Sequence, residues 1–184
     1  FFFYFDSVVE KYGIEKIKTI GDAYMCAGGI PEKNRTNPVE VILAALEMKA
    51  YMKKLKETSE LAGMKYWDIR IGIHTGTVVA GVVGSKKLSY DIWGDTVNTA
   101  SRMESSGEAG KINISGTTYE FVKEFFECEY RGKMPVKYKG ELEMYFVNGI
   151  IPSLCDENGG PARKFILKMQ LIKLQDIEEM IIKM

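Results

Sequence analysis

Residues 89–104 read SYDIWGDTVNTASRME, and the folding of this stretch decides what the remainder of the chain is built to hold. Trp93-Gly94-Asp95 forms a turn, Asp95 or Thr96 caps the helix that follows, and Asn98 and Arg102 then fall at i and i+4 on one helix face. Arg102 brings planar, permanently charged donors suited to a phosphate, and Asn98 adds a neutral donor and acceptor. Asp91, just before the turn, can accept from an amino group. Taken alone, an Asn-x-x-x-Arg pair is an ordinary solvated helix face. It gains meaning from its company.

That company is KTIGDAYM at residues 18–25 and IGIHTGTVVAGVVG at residues 71–84. In this order the three stretches resemble the catalytic domain of class III nucleotidyl cyclases. The resemblance runs from about Phe5, in FDSVVEKYG, to about Asn148, and takes in RMESSGEAGKI and VKYKG. The family's F-x-D-I-x-G-F-T motif, which carries a first metal-binding aspartate and a phosphate loop, has no counterpart, and Phe1 is not a start methionine. The expectation is therefore a fragment that lacks the N-terminal strand and first helix, and that turns over poorly by itself.

Away from the motifs, the pattern of apolar residues sketches the fold. Phe2, Phe5, Val8 and Val9 form the apolar side of a helix that Gly13 stops. Two apolar runs, Ile14 to Ile20 and Ala23 to Ala27, form a hairpin around Gly21-Asp22, which aims the Asp22 carboxylate outward, as a hard, oxygen-liganded cation requires. A helix begins with Asn37 as cap and Pro38 at its first position and runs to about Ser59, with Val41, Ala45, Met48, Met52 and Leu55 toward the core. Trp67, Ile69, Ile71 and Ile73 alternate with polar residues as a half-buried strand, with Val78 to Val83 as its hairpin partner. Lys111 to Ile114 is a strand, Thr117 to Phe126 a helix, and Cys128 to Arg131 and Met144 to Val147 the last strands, flanking a basic loop at Val136 to Gly140. The glycines at 72, 76, 81 and 84 imply close backbone approach, to a ligand or to a partner subunit.

This is an α+β domain over residues 1–150, with one mostly antiparallel sheet and helices on a face. A linker at 151–161 and a helix at 162–184 follow. That helix carries Leu167, Leu171, Leu174, Ile177 and Ile181 in a stripe that can pack on the domain or pair across a dimer. The resemblance sharpens the core to a ferredoxin-like one.

Composition bounds the partners. Lys plus Arg and Asp plus Glu number 25 each, so no net field draws in nucleic acid or an acidic membrane surface. A chain of 184 residues, 46% hydrophobic, fills one core. Cys26, Cys128 and Cys155 lack metal-ligand spacing and read as reduced thiols of a cytoplasmic protein. No apolar run reaches the ~20 residues that cross a bilayer. His74, the only histidine, has no acid or nucleophile beside it in sequence and reads as structural.

The resemblance assigns roles residue by residue. Lys18 and Asp91 stand where the family contacts the base, and a donor beside an acceptor matches adenine. Guanylyl cyclases typically carry Glu and Cys or a small polar residue there. Asn98 would position the ribose, Arg102 would stabilise charge on the α-phosphate, Lys137 would bind the outer phosphates, and Asp22 would ligate metal. The implied reaction is conversion of ATP to 3′,5′-cyclic AMP and pyrophosphate with two Mg²⁺ or Mn²⁺ ions per complete site. The implied assembly is a homodimer with two interfacial sites. Some relatives use an arginine of the glycine-rich hairpin on phosphate, and here that place is Thr77. A non-catalytic nucleotide-binding module and a guanylyl cyclase are the alternatives.

Overall fold

The structure, a computed structural model, describes the backbone of residues 1–136 and 139–182, with side chains as far as residue 175. Among the described residues, five α-helices pack on strands that fall into three pieces. The main sheet has the order β3-β6-β8-β7, where β3 is Ile71–Ile73, β6 Ile112–Ser115, β7 Phe126–Val136 and β8 Gly140–Ile150. Two separate antiparallel ribbons flank it: β1 (Glu15–Ile20) with β2 (Ala23–Ala27), and β4 (Val79–Val83) with β5 (Ser89–Trp93).

The α+β class is as expected, but two pairings differ from the sequence reading. Ile71–Ile73 does not form a hairpin with residues 78–83; it lies parallel to β6, Ile71 opposite Ile112 and Ile73 opposite Ile114. Residues 79–83 pair instead with 89–93, Val79 opposite Trp93 and Gly81 opposite Asp91. The strand also starts later than its alternation suggests, and Trp67 is exposed. Upstream of Ile71 the backbone is still tied to the segment before β6, with the Gly110 amide donating to Ile69 O at 2.7 Å, but the regular ladder is confined to residues 71–73.

Helix α2 (Asn37–Leu61) lies between two apolar clusters. Its Val39, Ile42 and Ala45 join Ile73, Ile112, Ile114, Val122, Phe126 and Val147 in the main core. Ala44, Met48 and Met52 meet Phe5, Val8 and Val9 of α1 (Phe2–Lys11). Its N-cap is Thr36, one residue earlier than expected. The Thr36 hydroxyl is buried and donates to Glu40 Oε1 at 3.0 Å.

Helix α3 (Asp95–Ser105), the core of the opening stretch, starts at Gly94, whose φ of 132° is closed to residues with a Cβ. It is held down along its length. Met103 is fully buried with Met144 and Val136. Gly72 lets the helix sit against β3: a Cβ there would lie 1.9 Å from the backbone nitrogen of Glu104. Gly76 likewise meets Thr96, where a Cβ would come within 2.6 Å of Oγ1. The close approach that these two glycines permit is thus to α3 of the same chain.

After β8, a 3-10 turn at Pro152–Leu154 buries Leu154 in the main core, and Phe165 and Met169 of α5 (Arg163–Ile182) join it. α4 (Gly116–Val122) is capped by Ser115, whose Oγ accepts from the Thr118 amide. The face of α5 that packs on the domain carries Phe165 and Met169, leaving the predicted stripe outward as far as it is described, with the side chains of Ile177 and Ile181 outside the described residues. Leu167, Leu171 and Leu174 are exposed. The apolar groove of about 390 Å³ between α5 and the 3-10 turn is lined by Leu154, Leu167 and Leu171 among others.

Candidate active site

A concavity of about 550 Å³ is lined by Lys18, Ile92, Trp93, Gly94, Asp95, Val97 and Asn98. It opens where β1, the end of β5 and the first turn of α3 converge. A residue from the first motif thus meets residues from the last across more than seventy positions of sequence.

Lys18 and Asp91 are bonded to each other, Nζ to Oδ2, at 2.5 Å. Asp91 Oδ1 accepts from the amide of Ile92 at 2.9 Å. The Lys18 ammonium first, and that amide second, hold the Asp91 carboxyl below the usual carboxylate range. The pair presents a fixed acceptor beside a fixed donor, with Asp91 16% and Lys18 40% exposed at the side chain.

Asn98 is exposed on the same rim, and Arg102, half-buried, lies one turn further along α3. Among the described residues the Arg102 side chain has no hydrogen-bond or ion-pair partner. The end of α3 beyond it is fixed by others: Asn113 Nδ2 donates to Met103 O at 2.8 Å and Arg131 Nη1 to Ser106 O at 2.9 Å. At the other end, Thr96 donates to the carbonyl of Thr77 at 2.6 Å. Thr77, which stands where some relatives have an arginine, therefore serves the helix start through its backbone.

Asp22 is exposed at the β1–β2 tip and does not line the concavity. Among the described residues no three His, Cys, Asp or Glu side chains group as a metal cluster. The exposed Asp22 carboxylate, by itself, suits a hard cation that takes its other oxygens from water and from phosphates. Lys137 lies outside the described residues. Lys139, in the turn that joins Val136 to Gly140, is paired with Asp95 on α3.

His74 Nδ1 lies 2.7 Å from Ser115 Oγ, in a half-buried setting beside the cap of α4. Burial, and then the positive charge of Lys139, push its pKa down, with Asp95 opposing. This ring braces an element boundary. Burial raises the thiols of Cys26 and Cys128 to about 11, so neither is a thiolate at neutral pH. None of the helices among the described residues is long and apolar enough to cross a membrane.

Sequence reading missed β5, which presents Asp91 to Lys18, and the Lys139–Asp95 pair. The alternation of Tyr90 and Ile92 with the polar Ser89 and Asp91 was the available signal for β5.

The family model described as the adenylate and guanylate cyclase catalytic domain matches residues 1–149. Human guanylyl cyclase C is 41% identical over 151 residues, which cover 79% of this chain and 14% of that protein. An adenylate cyclase of Mycobacterium tuberculosis is 39% identical over 145 residues, covering 79% of this chain and 32% of that one. The chain thus spans a third or less of these curated relatives. Among solved structures, the adenylyl cyclase CyaB from P. aeruginosa superposes with a TM-score of 0.76 at 31% identity, covering 83% of this chain and 81% of that chain.

Proposed function

The chain belongs to the class III adenylate and guanylate cyclase catalytic domain family, and from that premise we propose that it cyclises ATP to 3′,5′-cyclic AMP and pyrophosphate. The observation that carries ATP over GTP is the Lys18–Asp91 pair, of which Lys18 lines the concavity and Asp91 directly precedes its lining residue Ile92. Adenine offers an amino group beside a ring acceptor; Asp91 would take the first and Lys18 would donate to the second. Guanine reverses that edge and would leave both protein groups without matching partners. Each mismatch costs roughly 1–3 kcal/mol.

In this reading Asn98 orients the ribose so that its 3′-hydroxyl faces the α-phosphorus. Arg102 stabilises charge as the bond to pyrophosphate breaks, and Lys137 binds the outer phosphates. Asp22 would hold Mg²⁺ or Mn²⁺, which when bound supplies Lewis-acid activation of the hydroxyl and neutralisation of the triphosphate.

The assembly is a homodimer in which Asp22 serves one site while Lys18, Asp91, Asn98, Arg102 and Lys137 serve the other. Two observations support it. Asp22 is exposed and does not line the concavity that Lys18, four residues before it, lines. The β4–β5 ribbon exposes Val79, Val82, Leu88 and Trp93, and a two-stranded ribbon with solvated apolar side chains is marginal without a surface to cover it.

A guanylyl cyclase is the second reading, favoured by the 41% identity to guanylyl cyclase C. Product formation from ATP and from GTP by the natural full-length protein decides between them. ATP should be preferred, and Lys18→Glu combined with Asp91→Cys should move preference toward GTP. Equal use of both nucleotides by the unmutated protein would sink the assignment.

A further inference from the structure

Asn98 and Arg102 both stand on α3, so a slide or turn of that helix carries both side chains with it. Its C-terminal end is gripped from the sheet. Asn113 of β6 is fully buried, a place that suits an amide only when both its ends are bonded. They are: Nδ2 donates to Met103 O at 2.8 Å, and Oδ1 accepts from Arg131 Nη1 at 3.0 Å. The same Nη1 donates to Ser106 O at 2.9 Å. Both carbonyls lie where α3 has run out of helical amides to bond them.

Arg131 arrives there through an irregularity of β7. Tyr130 pairs with Tyr145 and Gly132 with Met144, which leaves Arg131 as an extra residue between them. A bulge of this kind re-aims a side chain. The guanidinium spans β8 to reach Asn113, with Cζ 4.1 Å from the centre of the Phe146 ring, and only 11% of the side chain is exposed. Glu108 Oε1, 3.7 Å from Nη2 and 61% exposed at the side chain, is a loose counter-ion. The closer partner of this buried charge is the negative end of the helix. Met103 already packs α3 down against Val136 and Met144. Apolar contact of that kind is non-directional and lets a helix slide or turn, whereas hydrogen bonds to two of its carbonyls do not.

We propose that Asn113 and Arg131 are positioning residues: by holding the Met103 and Ser106 carbonyls they fix the setting of α3 along and about its axis, and with it the place of the Arg102 guanidinium. The proposal rests on the cyclase reading above. Asn98, one turn earlier, is steadied from the other end of α3 through Thr96 and the Thr77 carbonyl. The clamp therefore acts mainly on Arg102, and so on the charge that builds as the bond to pyrophosphate breaks.

A cycle with Arg102 separates positioning from mere stabilisation. In the natural full-length protein, Arg131→Met keeps an apolar stem over Phe146 and removes both donated bonds. Asn113→Asp keeps the size and the acceptor for Arg131 but loses the donor to Met103 O. With rates taken per folded molecule, well below each variant's melting temperature, each should lower kcat about tenfold or more and change KM less than about twofold, since Lys18 and Asp91 are untouched. Arg131→Lys, which keeps the charge and one donated bond, should fall between Arg131→Met and the unmutated protein. In an Arg102→Ala background neither Arg131→Met nor Asn113→Asp should lower the remaining kcat further, because the group they position is gone. A purely structural role would leave kcat per folded molecule unchanged in both variants. That result, a loss confined to KM, or losses that multiply with Arg102→Ala would overturn the proposal and leave the cyclase reading intact. Absence of turnover of either nucleotide by the unmutated protein would overturn the cyclase reading, and the proposal with it.

Discussion

Replacing Gly72 by alanine should damage the site without touching it. A Cβ at this position would stand 1.9 Å from the Glu104 nitrogen, 2.4 Å from its Cα and 2.5 Å from the Met103 carbonyl carbon. Ordinary contact begins at 3.4 Å, so strand and helix must separate by about 1.5 Å. The obstacles are backbone atoms of α3 and cannot rotate aside. Forcing an extra methyl into packed surroundings costs about 1–3 kcal/mol, which a folded domain tolerates. The site tolerates less: Arg102 directly precedes Met103 and moves with it, and a displacement of about 1 Å in a positioning group costs on the order of a hundredfold in rate. Gly72→Ala should therefore lower kcat about a hundredfold in the natural full-length protein while its melting temperature falls by only a few degrees. Nucleotide turnover and thermal unfolding measured side by side decide this. Near-normal kcat at a near-normal melting temperature would refute the close packing of β3 on α3.

Met103→Ala empties a fully buried position between Val136 and Met144 and should cost about 2–5 kcal/mol in a denaturant titration; a cost under about 1 kcal/mol would place this helix elsewhere. His74, whose folded pKa lies below the ordinary 6.5, binds its proton more readily unfolded. Its contribution to stability is complete above that value and is lost as pH falls from 6.5 through the folded pKa. His74→Gln should flatten the fall in melting temperature over that range, and an unchanged slope would contradict it. Asp22→Ala and Asn98→Ala, each inactive alone, should regain about a quarter of unmutated activity when mixed and reassociated, because half of random dimers are hybrids with one intact site. No recovery despite confirmed hybrids would mean that each site is built within one chain.

The positions that local pattern determines were legible in sequence. The turn at Gly94 and the helix after it follow from a glycine that must adopt positive φ and from residue types that favour a first turn. The β1–β2 hairpin follows from two apolar runs around Gly21-Asp22. Partner choice was not legible. Alternation through Ile71 and Ile73 announces a strand, yet β6, the strand it pairs with, begins some forty residues later. The same limit hid the Lys139–Asp95 pair, whose members are 44 residues apart. On α5 the difficulty was surplus: Phe165, Met169 and Ile172 make one apolar face and Leu167, Leu171 and Leu174 another. Spacing alone cannot rank two faces of comparable hydropathy. The aromatic cluster of Phe125, Phe126 and Phe165 selected the first.

The closed Lys18–Asp91 pair also divides how the two ends of a nucleotide would respond to ionic strength. At the base end, opposite charges 2.5 Å apart already cancel, so an arriving purine meets a near-neutral surface and exchanges hydrogen bonds. At the other end the Arg102 guanidinium has no acidic neighbour bonded to it among the described residues, and attraction for phosphate is screened once salt shortens the Debye length to about 8 Å. Added salt should thus weaken a triphosphate far more than the corresponding nucleoside. The specificity of the site would survive conditions that strip its affinity.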